Sequence, residues 1–254
     1  MIEGFHLGVG GAAGQVCLMH GFTGSPWDLR PLGDALAQVS FEVRCPRLPG
    51  HGFPDGGEEN SWPAWLARGQ ACVDEAIATA GGRPLVIAGL SMGGLLTLQL
   101  ARDNADQVAA ITIFAPAVSI SRFNRMGIWV LGQLSRIGFG ASQMPKSVAG
   151  LADPHTGESN PGSNPFPFSA FRSFGELRQR TRKMVGEVVV PTLIIQGMQD
   201  ETCPPAGADW LADALGSTDV TQHVLDNSGH VITRDVQAPE ASAAMISFLG
   251  ERLA

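Results

Sequence analysis

The sequence predicts an α/β fold: a mostly parallel central sheet flanked by helices, with one inserted segment. Three observations predict it. Short apolar runs alternate with helix-length stretches, as a parallel sheet with both faces covered requires. The pentad Gly89-Leu90-Ser91-Met92-Gly93 lies between an apolar run, Leu85–Ala88, and a helical stretch, Gly94–Arg102. Asp200 and His230 each lie just past the end of a later predicted strand, the edge where open α/β sheets hold their ligands.

Strands are predicted at Val16–Met19, Glu42–Cys45, Leu85–Ala88, Ala109–Phe114, Thr192–Gln196 and Val220–Leu225. They read as near-continuous apolar runs, the pattern of strands buried on both faces. Helices are predicted at Pro26–Gln38, Trp62–Ala80, Met92–Arg102, Ala206–Leu215 and Pro239–Arg252. In the first of these Trp27, Leu29, Leu32, Leu36 and Val39 fall largely on one face, so it packs one side on the sheet. Between about Ala117 and Arg172 the alternation fails. Ile120–Ile137 is apolar enough for one or two helices; Asp153–Pro165 is a polar, proline-rich loop, and Phe166, Phe168, Phe171 and Phe174 follow in close succession. The expected division is a core of residues 1–116 and 188–254 with an inserted cap, 117–187, that includes a connecting helix. So long an irregular stretch inside a compact domain is usually functional.

Composition bounds the function. With 254 residues, 44% hydrophobic and 16% charged, the chain makes one well-filled domain. No apolar run is long enough to span a bilayer, and the N-terminus lacks the charged and apolar regions of a secretory signal. The four cysteines, 17, 45, 72 and 203, fall in or beside predicted core elements without paired spacing, which suits reduced thiols in a cytoplasm. A net charge of −7 counts against nucleic acid and anionic membrane surfaces as partners. The expectation is a cytoplasmic protein without stable membrane insertion; a homodimer through the cap is left open.

The pentad is a nucleophile elbow in its strand-turn-helix setting. Small residues two positions either side of Ser91 let strand and helix approach, and the hydroxyl projects at a helix N-terminus that favours negative charge. A serine nucleophile needs a base and an acid, which follow in this architecture in the order Ser, Asp or Glu, His. His230 is the candidate base and Asp200 the candidate acid, with Glu201 as its rival; Asp226 is too close to His230 and in the wrong order. For the oxyanion, two backbone N–H groups are expected, those of Met92 and Phe22. Phe22 lies in His20-Gly21-Phe22-Thr23-Gly24, which follows the first predicted strand. Because these donors are main-chain, the side chains of Phe22 and Met92 are free to line an acyl pocket. Phe166 and Phe168 are candidates for the same pocket; the alternative is that the phenylalanines glue the cap to the core. His51 is read as a loop-ordering residue and Cys203 as structural. His6, His155 and His223 carry no supporting context, and no Cys, His and Asp spacing resembles a metal site.

Together, His20-Gly-Phe-Thr-Gly24, Gly89-Leu-Ser-Met-Gly-Gly94, Gln196-Gly-Met-Gln-Asp200 and Ser228-Gly-His-Val-Ile-Thr233 resemble the α/β-hydrolase superfamily. More narrowly they are similar to small bacterial carboxylesterases and monoacylglycerol lipases. The resemblance runs from about Val16 to the end and skips the insertion, where no motif matches. It implies the α/β-hydrolase fold with a cap (lid), and a serine hydrolase of small lipophilic esters or monoacylglycerols. Its triad would be Ser91, Asp200 and His230, its oxyanion donors Phe22 and Met92, its partner a small-molecule ester, with no metal or organic cofactor. Serine at position 91 and the absence of tyrosine argue against dehalogenase and epoxide hydrolase chemistry. An acyltransferase or thioesterase, a carbon–carbon bond hydrolase and a non-catalytic ligand receptor remain alternatives on the same scaffold.

Overall fold

The computed structural model describes residues 3–51, 59–139, 142–144 and 166–253. Seven strands form the central sheet: β1 (Phe5–Leu7), β2 (Gly14–Met19), β3 (Phe41–Cys45), β4 (Leu85–Leu90), β5 (Val108–Phe114), β8 (Thr192–Gly197) and β9 (Val220–Leu225). A separate two-stranded ladder pairs β6 (Gln143–Met144) with β7 (Phe166–Pro167). The main sheet runs in the order β1-β3-β2-β4-β5-β8-β9. Every pairing is parallel except β1 with β3.

Seven helices complete the described fold: α1 (Arg30–Gln38), α2 (Trp62–Ala80), α3 (Met92–Asp103), α4 (Arg122–Leu134), α5 (Phe168–Met184), α6 (Ala206–Ala214) and α7 (Ala238–Arg252). The strand period of two sorts the core into two layers. From β2, Cys17 and Met19 join the layer under α2, α3, α5 and α6; Val16 and Leu18 join the layer under α1 and α7. Both neighbours of each central strand are strands and both faces are covered, so these runs are apolar throughout.

Two edge strands depart from that rule. β9 pairs only with β8 and leaves Thr221, Gln222 and Val224 exposed, so it is not the two-sided apolar run expected for Val220–Leu225. β1 was not foreseen: three residues are too short to show a period. It is held by packing, since Phe5 and Leu7 lie over Gly33 of α1, where a Cβ would stand 2.7 Å from the Phe5 ring. The predicted Pro26–Gln38 helix begins as a tight turn, Pro26–Leu29, before α1 proper. Leu29, Leu32 and Leu36 are buried as expected, but Val39 falls past the last helical residue and is 42% exposed.

Among the described residues, the segment between β5 and β8 holds two unlike helices. α5 is seated in the core: Ala170, Phe174, Leu177 and Met184 are buried with α2 and α3. Ser173 Oγ accepts the Trp62 N–H at 2.6 Å, and Gln99 donates to Thr181 Oγ1 at 3.0 Å. α4 rests on α5 instead, with Gly132 against the Arg172 side chain and Ile128 against Gly175. A short turn, Ser135–Phe139, follows and is broken at Gly138, whose φ is +104°. The predicted loop Asp153–Pro165, with His155, lies outside the described residues.

Candidate active site

Ser91 stands between β4 and α3 with φ +58° and ψ −112°, a backbone conformation costly for a residue with a Cβ. It is pinned from both sides: its N–H donates to the Phe114 carbonyl at 2.8 Å and its carbonyl accepts from Gly94 N–H at 3.0 Å. The flanking glycines are required by contact. A Cβ on Gly89 would sit 2.2 Å from the Gly93 carbonyl oxygen, and one on Gly93 would sit 1.9 Å from that of Met19. The G-x-S-x-G spacing is therefore what lets strand, turn and helix cross behind the hydroxyl.

His230 Nε2 lies 3.0 Å from Ser91 Oγ, and His230 Nδ1 lies 2.8 Å from Asp200 Oδ2. The imidazole Nδ1–H donates to the carboxylate, leaving Nε2 to accept the serine proton. Asp200 has a fully buried carboxylate, and its Oδ1 accepts the N–H groups of Thr202 and Cys203, each at 2.8 Å. Burial opposes the imidazolium most strongly, but the Cys203 sulfur and the Asp200 carboxylate outweigh it, so the His230 pKa is raised above the usual 6.5. Glu201, the rival acid, is exposed and is not bonded to His230.

Another glycine brings the two loops together. A Cβ on Gly197, at the end of β8, would meet the Ser228 carbonyl at 2.3 Å. The His230 loop therefore lies directly on the Asp200 turn, tied there by Gln199 N–H to the Ser228 carbonyl at 3.0 Å. Asp235 holds the far side by accepting Gly229 N–H at 2.8 Å.

The loop after β2 is organised by residues the sequence reading passed over. Leu48 N–H donates to His20 Nε2 at 3.1 Å, which fixes Nδ1–H as donor to the Gly21 carbonyl at 3.0 Å. Asp28 accepts Ser25 N–H at 2.9 Å, and a Cβ on Gly24 would strike that carboxylate at 2.4 Å. Thr23 carries a φ of +59°, an outlier for a β-branched residue, and it adjoins Phe22. Met92 is the first residue of α3, where a helix leaves its N–H without an intrahelical acceptor.

The Phe22 ring is the hub of an aromatic cluster that joins core to insertion. It stacks on Phe174 at 5.0 Å and 8°, meets Phe171 edge-on at 5.1 Å, and lies 5.3 Å from Phe166 and 5.8 Å from Trp65. His51 packs edge-on against Phe166 and Trp65, and its Nδ1 lies 3.0 Å from the Pro49 carbonyl. Phe168 heads α5 and has no ring contact with this cluster among the described residues. The Met92 side chain is fully buried in the core layer. Among the described residues, the metal-ligand types that converge are Asp200, Cys203 and His230, within 4.8 Å of one another. The facing atoms of Asp200 and His230 are already joined by a hydrogen bond. Cys203, expected to be structural, stands beside the catalytic pair. Its signal was the turn Asp200-Glu-Thr-Cys203, in which an aspartate accepts N–H groups two and three residues on.

A family model described as Hydrolase_4 (serine aminopeptidase, S33) matches residues 10–237. A thermostable monoacylglycerol lipase of Bacillus sp. strain H-257 is 31% identical over 93% of this chain and 90% of its own length. A carboxylesterase of Bacillus subtilis strain 168 is 23% identical over 92% of this chain and 91% of its own. Among solved structures, one of the metagenome-derived lipolytic enzymes LipS and LipT superposes with a TM-score of 0.86 at 26% identity, covering 98% of each chain.

Proposed function

The chain belongs to this Hydrolase_4 family, with an α/β-hydrolase fold, and from that premise we propose that Ser91, His230 and Asp200 hydrolyse monoacylglycerols and other single-chain lipophilic esters. It is a serine hydrolase of carboxylic esters, as its monoacylglycerol lipase and carboxylesterase relatives indicate. The observation that carries the residue assignment is the hydrogen-bonded series Ser91–His230–Asp200 on a strained turn.

In this mechanism Ser91 Oγ attacks the acyl carbon while its proton passes to His230 Nε2. Asp200 holds Nδ1–H and stabilises the imidazolium. The carbonyl oxygen becomes an oxyanion, received by the N–H groups of Phe22 and Met92. The imidazolium returns the proton to the departing alcohol oxygen as the ester C–O bond breaks. Water then attacks the acyl-serine with His230 as base, releasing the fatty acid and restoring Ser91.

The preference for a lipophilic acyl chain is supported by the rings around Phe22. A peptide substrate with a free amino terminus would need a carboxylate for its ammonium, and Phe22, Trp65, Phe166, Phe171 and Phe174 supply none. We assign the protein to the cytoplasm, a reading supported by four cysteines that are free and buried. No helix among the described residues is long and apolar enough to cross a membrane.

The test is release of fatty acid from a monoacylglycerol by wild type and by Ser91→Ala. Turnover by wild type, abolished in a folded Ser91→Ala protein, is the expected result. A wild type that cleaves neither monoacylglycerols nor p-nitrophenyl esters would overturn the proposal.

A further inference from the structure

The two loops that complete the site come from distant strands. Phe22 follows β2 and His230 follows β9, and β4, β5 and β8 lie between those strands in the sheet. At the usual strand spacing the ends of β2 and β9 stand about 19 Å apart. The sheet by itself therefore does not hold the Phe22 N–H and the His230 imidazole against one another. A tetrahedral intermediate on Ser91 needs both, placed to within a fraction of an ångström.

The link is made just past His230, by a single helical turn, Ile232–Arg234. Thr233 Oγ1 donates to the Asp28 carbonyl at 2.7 Å, and Arg234 Nε donates to the Trp27 carbonyl at 2.8 Å. The Arg234 guanidinium also lies over the Trp27 ring, 3.1 Å from its centroid. Thr233 is 2% exposed, so water does not replace its bond to Asp28 when the hydroxyl is removed. From Asp28 the contacts run back to Phe22. The Asp28 carboxylate accepts Ser25 N–H and stands against Gly24, whose own N–H donates to the Gly21 carbonyl at 3.1 Å. Gly21 and Gly24 thus close a turn around Phe22 and Thr23. On the other side Asp235 accepts the N–H groups of Gly229 and Val236, each at 2.8 Å, which fixes the turn to the residue before His230.

We propose that Thr233 and Arg234 are positioning residues for the oxyanion hole. They clasp the Phe22 loop to the His230 loop, so that base and oxyanion donor meet Ser91 as one rigid unit. The inference deepens the proposed function and rests on its assignment of Ser91, His230 and the Phe22 N–H. The clasp acts on the transition state more than on bound substrate, because the oxyanion exists only after Ser91 has attacked. Loosening it should lower kcat and leave KM in place.

The test is kinetics on p-nitrophenyl butyrate for T233V, T233S and R234Q, with inhibition by an alkyl trifluoromethyl ketone. Ser91 Oγ adds to the ketone carbon, its proton passes to His230, and the oxyanion formed occupies the same N–H groups as the reaction intermediate. Wild type and Ser91→Ala are measured first; ester turnover that survives Ser91→Ala would overturn the site and this inference together. With that turnover abolished, T233V and R234Q should each lose about tenfold in kcat at constant KM, and the ketone Ki should rise by the same factor. T233S keeps the hydroxyl donor and should stay within about twofold of wild type. The rising limb of the pH profile should not move in any variant, because the Asp200–His230 bond is untouched. R234Q alters a half-buried side chain and carries the test if T233V does not fold. A fall in kcat without the matching rise in ketone Ki would overturn the inference, since the side chains would then support the fold alone. Unchanged kcat in both T233V and R234Q would overturn it equally, as would a T233S protein as impaired as T233V.

Discussion

Gly93, behind Ser91, would carry a Cβ 1.9 Å from the Met19 carbonyl oxygen, whereas the same atom on Gly127, in the middle of α4, would meet nothing within 4 Å. The two glycines divide the molecule. Around Ser91 backbone lies against backbone, and single atoms decide what is allowed. On α4 the outer side of the helix, with Phe123, Met126 and Trp129, is left exposed. Chemistry that needs fixed geometry is built on the first kind of structure. On the second kind side chains carry the contacts, and the backbone leaves room for substitution.

The contrast can be broken or sharpened by substitution. The largest effect expected is from Ser91→Ala, which should lower kcat by about 10⁶ while leaving the melting transition in place; circular dichroism and initial rates measure both. Asp200→Asn should cost about 10⁴ in kcat because the imidazole loses its orienting acceptor. Glu201→Gln should leave kcat within about threefold, since removing an exposed charge leaves catalytic preorganisation untouched; a larger loss there would make the neighbour the acid. Gly93→Ala should destabilise by more than about 3 kcal/mol, because the clash is with backbone that has no room to move. Gly127→Ala should instead stabilise by about 0.5–1 kcal/mol through helix propensity, so urea midpoints of the two variants should move in opposite directions.

The pH profile is a finer probe of the same platform. Only the neutral imidazole accepts the Ser91 proton, and His230 is raised above 6.5. kcat/KM should therefore climb with pH through the region above 6.5 and level off on the alkaline side. Cys203→Ala removes one of the two influences that raise this pKa, so the rising limb should move to lower pH. An unmoved limb would mean that Asp200 alone sets it.

What was legible in the sequence follows the same division. Gly89, Gly93 and Gly24 occupy positions where a Cβ would collide, so their spacing is written into the chain and points to Ser91 and to the loop of Phe22. Asp200 and His230 could be found because they end strands, and the structure brings both within hydrogen-bonding reach of the Ser91 series. The parts of His20 and Thr202 escaped notice because they are played through hydrogen bonds to the backbone, Leu48 N–H and the Gly21 carbonyl for His20 and the Thr202 N–H to Asp200, which leave no repeat or spacing. The partners of Phe22 were only partly visible. Phe166 was singled out and joins the ring cluster; Phe168, two residues on, does not, because the start of α5 turns between them. Phe171 and Phe174 share the inner side of that helix with Ala170 and Leu177, a placement that appears only once the helix is packed. The exposed stripe of α4 read simply as apolar sequence, which buried and bare helices share.

The most direct test of the account is kcat/KM along a p-nitrophenyl ester series from acetyl to palmitoyl, for wild type and for Phe174→Leu, whose ring stacks on Phe22. The variant should keep its rate on the acetyl ester and lose about tenfold on long acyl chains, with the optimum moved along the series. An equal loss on every ester would contradict it, because the rings would then be supporting the catalytic platform rather than selecting the acyl chain.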